Sequence, residues 1–174
     1  MLALKTRAQD FASDGFVRDS MERFHRVTNR ETIKSTVKQH LINNKLLLDE
    51  KIMRVTLLDQ NGVAVISTDD TGLGRDYSET YPIEKNNEDV ISSDLFFDAK
   101  SKSLSIEVLA PIHSRTEIKQ YFGTVLISFN ASIMNQVVSS QQPKMDAMHL
   151  DTNESYLVNS QRKMLTRSRF SDSK

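Results

Sequence analysis

The chain has 174 residues, of which 38% are apolar and 26% charged; at roughly 150 residues per domain this is one domain plus a further piece. Lys plus Arg and Asp plus Glu each number 23, so the formal net charge is zero. That argues against a generic nucleic-acid binder, which needs a basic surplus to displace counterions. The lack of cysteine excludes thiolate zinc sites, disulfide scaffolds and cysteine nucleophiles together.

No stretch approaches the ~18 consecutive apolar residues of a membrane span. The opening Met1-Leu2-Ala3-Leu4-Lys5 is too short for the apolar core of a signal peptide. The chain starts inside a helical pattern and stops after a strand-like segment. It therefore reads as a soluble piece of a larger protein.

Residues 3–27 read helical, with Phe11, Ala12, Phe16, Phe24 and Val27 recurring at three- and four-residue intervals. Thr28 or Asn29 is a candidate N-cap for a second stretch, and Thr28–Glu31 has capping-box spacing. Ile33, Val37, Leu41 and Leu48 continue the stripe. With no Pro or Gly near Asn29, the pattern favours one nearly continuous helix with a weak point there. A helix of that length can cover a sheet or pack against a second copy.

From Ile52 the period becomes two. Met53, Val55 and Leu57 share one face; Arg54 and Thr56 share the other. Asn61-Gly62 is a strong hairpin signal, and Val63–Ser67 returns as the second strand. Residues 68–89 form a long polar connection, of the kind that tends to carry function. Residues 90–98 read as strand three. Leu104, Ile106, Val108 and Ala110 alternate with Ser105 and Glu107 to give strand four, which ends or reaches an edge at Pro111. Tyr121–Phe129 is strand five. Residues 131–140 read as a short helix and 141–144 as a linker. Tyr156–Val158 and Met164–Thr166 flank a polar turn at Ser160–Lys163. The hairpin connections are too short for crossovers, so the pairing is antiparallel. The expected fold is α+β, a five-stranded antiparallel sheet packed against a long N-terminal helix.

Catalytic motifs are missing. Gly72-Leu73-Gly74 lacks a third glycine and opens no helix, so it reads as a turn rather than a phosphate cradle. His25, His40, His113 and His149 show no metal-ligand spacing. Asp69-Asp70 and Glu88-Asp89 lack the alternation of a calcium loop. No catalytic residue, metal or cofactor is expected. What remains is a binding module. Met53, Val55, Leu57, Ile106 and Val108 make the core face. The polar face, with Arg54, Thr56, Ser105 and Glu107, is either solvated or lines a small-molecule pocket closed by the 68–89 connection. Pattern alone favours solvation.

Ile52–Ser67 (IMRVTLLDQNGVAVIS) resembles the opening hairpin of the Cache sensor domains, also called PDC or extracytoplasmic PAS-like domains. Leu73–Ser78 (LGRDYS) resembles their connection. Leu104–Ile112 (LSIEVLAPI) and Tyr121–Phe129 (YFGTVLISF) resemble their last two strands, the second carrying an aromatic-Gly-x-Val step. The likeness covers about residues 52–138. Glu154–Asn159 with Met164–Thr166 resembles the opening of the second module in double-Cache receptors.

The resemblance implies a PAS-like fold divided into a stalk and dimerisation helix over 1–48, a sensor core over 49–142, and over 143–174 a linker with the first hairpin of a truncated second module. It implies an extracytoplasmic, periplasmic or extracellular, ligand-sensing domain of a membrane-anchored receptor. A two-component sensor histidine kinase is the first reading. A chemoreceptor ectodomain, or a ligand-free PAS-like interaction module, is the alternative. The implied partners are a small ligand of the amino-acid, amine or carboxylate class and a second copy bound through the N-terminal helix, with no nucleic acid. Asp98, in Phe97-Asp98-Ala99-Lys100, matches the family's ammonium-binding Asp. The family's Arg-Pro-Trp-Tyr run is replaced by Ser78-Glu79-Thr80-Tyr81-Pro82, which removes the natural bidentate partner of a carboxylate. Arg54 or Arg75 is left to substitute, Tyr77 and Tyr81 to supply aromatic walls, and Glu107 to face the pocket.

Overall fold

The structure, a computed structural model, describes residues 1–70, 72–83, 89–116, 120–134 and 156–165. The expected helix over 131–140 beyond residue 134 and the linker at 141–144 lie outside the described residues. So do Glu154, Ser155 and Thr166 of the tail. The fold is α+β. It divides into two compact units: Met1–Ser92 with Glu107–Phe129, and Ser93–Ile106 with Asn130–Lys174.

In the first unit the N-terminal segment is helical over the expected span but in three pieces. These are α1 (Leu2–Ser13), α2 (Gly15–Arg26) and α3 (Glu31–Asn44), followed by a 3₁₀ turn at Leu46–Leu48. The first break is at Asp14. Its backbone is extended at φ −58° and ψ 126°, and its carboxylate accepts from Phe16 N–H at 2.9 Å and Val17 N–H at 3.2 Å. A side chain that satisfies two otherwise free helix N–H groups starts a new helix where it stands. The second break is the expected weak point. Val27 turns extended, and the Asn29 side chain accepts from Glu31 N–H at 3.3 Å.

Asp14 also ties the helices together, because Lys45 Nζ reaches its carboxylate at 2.8 Å from the end of α3. Burial alone would raise the Asp14 carboxyl. The Lys45 hydrogen bond and the Val17 N–H, with the charges of Lys45 and His40, outweigh burial and hold it below its ordinary 3.8. A carboxylate lowered in the folded state stabilises the fold above its unfolded value. That contribution drains away as pH falls through the folded value. Asp14→Ala is expected to cost about 1–2 kcal/mol and to flatten the acid limb of the stability curve below pH 3.8. Urea denaturation across pH measures both; an unchanged acid limb would contradict the assignment.

The strands are β1 (Ile52–Leu58), β2 (Ala64–Ser67), β3 (Ile91–Ser92), β4 (Phe96–Asp98), β5 (Ser103–His113) and β6 (Tyr121–Asn130). The sheet order is β2-β1-β6-β5-β3, with β4 also on β5. Every recorded pairing is antiparallel. The expected third strand is thus two short ones, both on β5. Pro111 lies inside β5, two residues past Leu109, the last residue paired to β3. The Asn61-Gly62 turn forms. Asp59 Oδ1 accepts from Asn61 N–H at 2.9 Å and Val63 N–H at 3.0 Å, and Gly62 takes φ +86°.

Register fixes the faces. Val55 opposes Ile127 and Leu57 opposes Val125, and all four are fully buried. A bulge between Ile52 and Arg54 leaves Ile52 opposite Phe129, so Ile52 takes the buried place expected for Met53, which is half-buried. The helices cover this face with Phe11, Val17, Met21, Phe24, Val37 and Leu41, each at most 2% exposed. Burying each such side chain is worth about 1.5–3 kcal/mol. α3 packs on β2, and His25 Nε2 meets the Phe122 carbonyl at 2.7 Å.

In the second unit β4 pairs with the start of β5, with Asp98 opposite Ser103. The tail makes the expected reversal: Val158 bridges Met164 across a turn at 159–163. Ser160 N–H donates to Asp94 at 2.5 Å. That bond, with Leu95 N–H, holds the Asp94 carboxyl below its usual value.

Candidate functional site

The opposite face of the sheet carries the chemistry. Alternation along β1 places Arg54, Thr56 and Leu58 on it. Their β6 partners are Ser128, Leu126 and Thr124. Thr56 is fully buried, and Ser128, Thr124 and Glu107 are 3%, 5% and 7% exposed. The expectation of a solvated face is corrected: this face is covered. The cover comes from the connection, where Tyr77 and Tyr81 join Leu58, Ala64, Leu109 and Leu126 in one apolar cluster, flanked by Ile83 and Ile91. Alternation reports polarity along a strand, and it carries no information on whether a distant loop returns to cover it.

The cover is anchored by its backbone. Arg75 O accepts from Ala64 N–H at 2.9 Å, Gly74 N–H donates to Ala64 O at 2.8 Å, and Tyr77 N–H donates to Gly62 O at 2.9 Å. The segment thereby caps part of the exposed edge of β2. Gly72 and Gly74, at φ +77° and +78°, make the reversal that brings it there, as the turn reading of G-x-G expects. Asp76 accepts from Ser78 N–H and Oγ at 2.8 and 2.7 Å, which starts the helical turn ending at Tyr81.

Beneath this cover the polar side chains bond to one another. Glu107 Oε1 accepts from Arg54 Nη2 at 3.3 Å and from Ser128 Oγ at 3.1 Å. Glu107 Oε2 accepts from the Tyr81 hydroxyl at 2.5 Å. Arg54 also donates to Ser128 Oγ at 3.2 Å and lies 3.7 Å from Asp69. Ser67 Oγ donates to Asp69 at 3.1 Å and lies 3.3 Å from Thr56 Oγ1. One guanidinium thus stands between two carboxylates. Arg54 Nε is buried and has no hydrogen-bond partner among the described residues. Such a network holds only while its members stay paired, because removing one leaves a desolvated charge.

The six expected site residues therefore separate. Arg54, Tyr81 and Glu107 meet in the network. Tyr77 lies in the apolar cluster with its ring under the Arg75 guanidinium, 4.8 Å from the ring centre. Asp98 belongs to the second unit. There its carboxylate accepts from Lys100 N–H and Ser101 Oγ, both at 3.0 Å, as a turn residue does. Sequence reasoning missed Ser67, Asp69 and Ser128. Ser128 had a signal: it is a hydroxyl inside Val125–Phe129, where every neighbour is apolar. Asp69 had none, since a loop acid reads as solvated. Among the described residues no group of three or more His, Asp or Glu is placed to hold a metal ion.

No family model matches the chain, and no curated protein is similar to it. Solved structures are. The histidine kinase DctB sensor domain of V. cholerae aligns with 14% identity and a TM-score of 0.50, over 74% of this chain and 48% of that one. The ligand-binding domain of Mlp24 with asparagine aligns with 15% identity and a TM-score of 0.50, over 82% and 56%. The ligand-binding domain of the Campylobacter jejuni chemoreceptor Tlp3 with L-norvaline aligns with 15% identity and a TM-score of 0.51, over 93% and 64%. The chain spans about half to two thirds of their length. The chain thus shares the fold of these solved sensor and ligand-binding domains. No helix of the described residues is long and apolar enough to cross a membrane.

Proposed function

We propose that this chain is the extracytoplasmic ligand-sensing part of a membrane-anchored signalling receptor, a sensor histidine kinase in the first reading and a chemoreceptor in the second. It acts as a binding module, not an enzyme. The observation that carries the reading is the buried Arg54–Glu107–Tyr81 network under the connection, on a sensor-domain fold. The division into a 1–48 stalk, a 49–142 core and a 143–174 start of a second module belongs to the same proposal. So does pairing of two copies through the N-terminal helices. Sedimentation at high micromolar concentration tests the pairing, and a strict monomer would contradict it.

The ligand class follows from charge. Two carboxylates suit an ammonium, and the unspent Arg54 Nε suits a carboxylate. A zwitterion such as a free amino acid satisfies both. Two of the similar structures are named with asparagine and L-norvaline. Tyr77 and Tyr81 lie over the sheet face that carries the network, and the Tyr81 hydroxyl is bonded to Glu107, so entry requires the 72–83 segment to lift. A ligand that favours the lifted arrangement shifts the population and thereby signals.

Thermal melting with a panel of free amino acids, amines and carboxylates tests this. The expected result is a raised Tm with one compound, abolished by Tyr81→Phe with Arg54→Gln. Asp98→Ala separates the two locations: it removes the shift only if the ammonium sits at Asp98. No shift with any compound would favour a ligand-free module.

A further inference from the structure

We propose a second binding site, for a small carboxylate with an aromatic or branched apolar body, in the groove between α3 and the edge strand β2. The groove encloses about 490 Å³, within the range of small-molecule sites. It lies on the helical side of β2 and meets the Arg54 network only at Ser67.

Arg30, Lys34 and Lys38 line one wall. Their spacing of four places all three on one stripe of the helix. Lys34 is paired with Glu31 at 2.8 Å and Lys38 with Asp70. Both pairs are at the surface, where re-pairing costs little. Arg30 is different. Its guanidinium sits 4.6 Å above the centre of the Phe24 ring, its Nε donates to Val27 O at 3.4 Å, and no ion pair to a carboxylate is present among the described residues. Stacking preorganises a guanidinium while leaving its terminal nitrogens free to bind an anion. Three lining cations against two lining acids leave one positive charge, which matches a single carboxylate. Beside Ser67 and Asp70 the facing wall offers apolar surface: Val65 is half-buried, and Leu73 is 45% exposed. An apolar body laid along Val65 and Leu73 with its carboxylate on Arg30 fills both requirements. Held by α3 and β2 together, it fixes the helix on the sheet edge.

The probe is 2-naphthoate, with 2-naphthamide as the uncharged isostere, titrated into the whole chain and followed by backbone amide NMR shifts. The expected result is saturable shifts at Val65, Leu73 and along α3. Arg30→Gln is expected to weaken binding at least about tenfold, and the amide to bind correspondingly weakly. The proposal is overturned by shifts that fail to saturate, by shifts centred on Arg54, Glu107 and Ser128, or by an Arg30→Gln variant of unaltered affinity.

Discussion

Gly123→Ala is expected to destabilise the fold by about 3–5 kcal/mol, a large fraction of the roughly 5–15 kcal/mol that holds a typical domain folded. Two causes combine at this residue. Its φ of +142° is a backbone region that L side chains rarely adopt, at a cost of about 1–3 kcal/mol. A Cβ there would also stand 2.2 Å from the Leu58 carbonyl oxygen and 3.1 Å from Met21 Cε. Met21 is a flexible side-chain end and can yield. The Leu58 carbonyl is β1 backbone, opposite Thr124 of β6, so relief requires parting the central strands. Gly74→Ala is the control. Its φ is +78° but nothing lies within 4 Å, so only the conformational cost of about 1–2 kcal/mol applies. Urea denaturation of both variants decides the matter, and equal losses would refute the steric argument.

Glu107→Leu carries the second large effect, an expected loss of about 3–5 kcal/mol. The change leaves the buried Arg54 guanidinium with only the longer 3.7 Å pairing to Asp69 and takes from the hydroxyls of Tyr81 and Ser128 the acceptor they share. Arg54→Met combined with Glu107→Leu is expected to recover most of that loss, since apolar replacement of both partners of a buried pair is often neutral. Asp69 then loses its nearby cation, but it is 34% exposed and hydrated. The double variant should fold and lose the ligand-induced rise in Tm proposed for the wild type. Persistence of the ligand response in the folded double variant would move the ligand elsewhere.

Most of the sheet was legible because strand alternation is a local property. β1, β2, β5 and β6 stand where the period of two places them, and Asn61-Gly62 turns as its composition requires. The helical breaks were less legible. At Asp14 the deciding term is a side-chain bond to Phe16 and Val17 N–H, reinforced by Lys45 from another helix. Periodicity counts apolar positions and sees neither. Half of the site was legible for a similar reason. Arg54 and Glu107 stand out as charges inside strands. Burial came from Tyr77 and Tyr81, which reach the sheet only after the Gly72–Gly74 reversal. The aromatic-Gly step of the last strand could be matched as a motif. Its cause, the Leu58 carbonyl, lies on a strand far away in sequence.

The order β2-β1-β6-β5-β3 has a consequence for synthesis. β1 has β2 on one side and β6 on the other, with Ile52 opposite Phe129. When β1 leaves the ribosome its second partner has not yet been translated. Only the local β1–β2 hairpin and the helices can form during that interval, and the hairpin's open side presents Val55 and Leu57 with unpaired backbone. Long-range pairing of this kind makes folding slow, and it leaves a strand edge available to other chains until β6 arrives. Nascent chains arrested before Tyr121 should therefore engage holdase chaperones, and chains extended past Asn130 should be released from them.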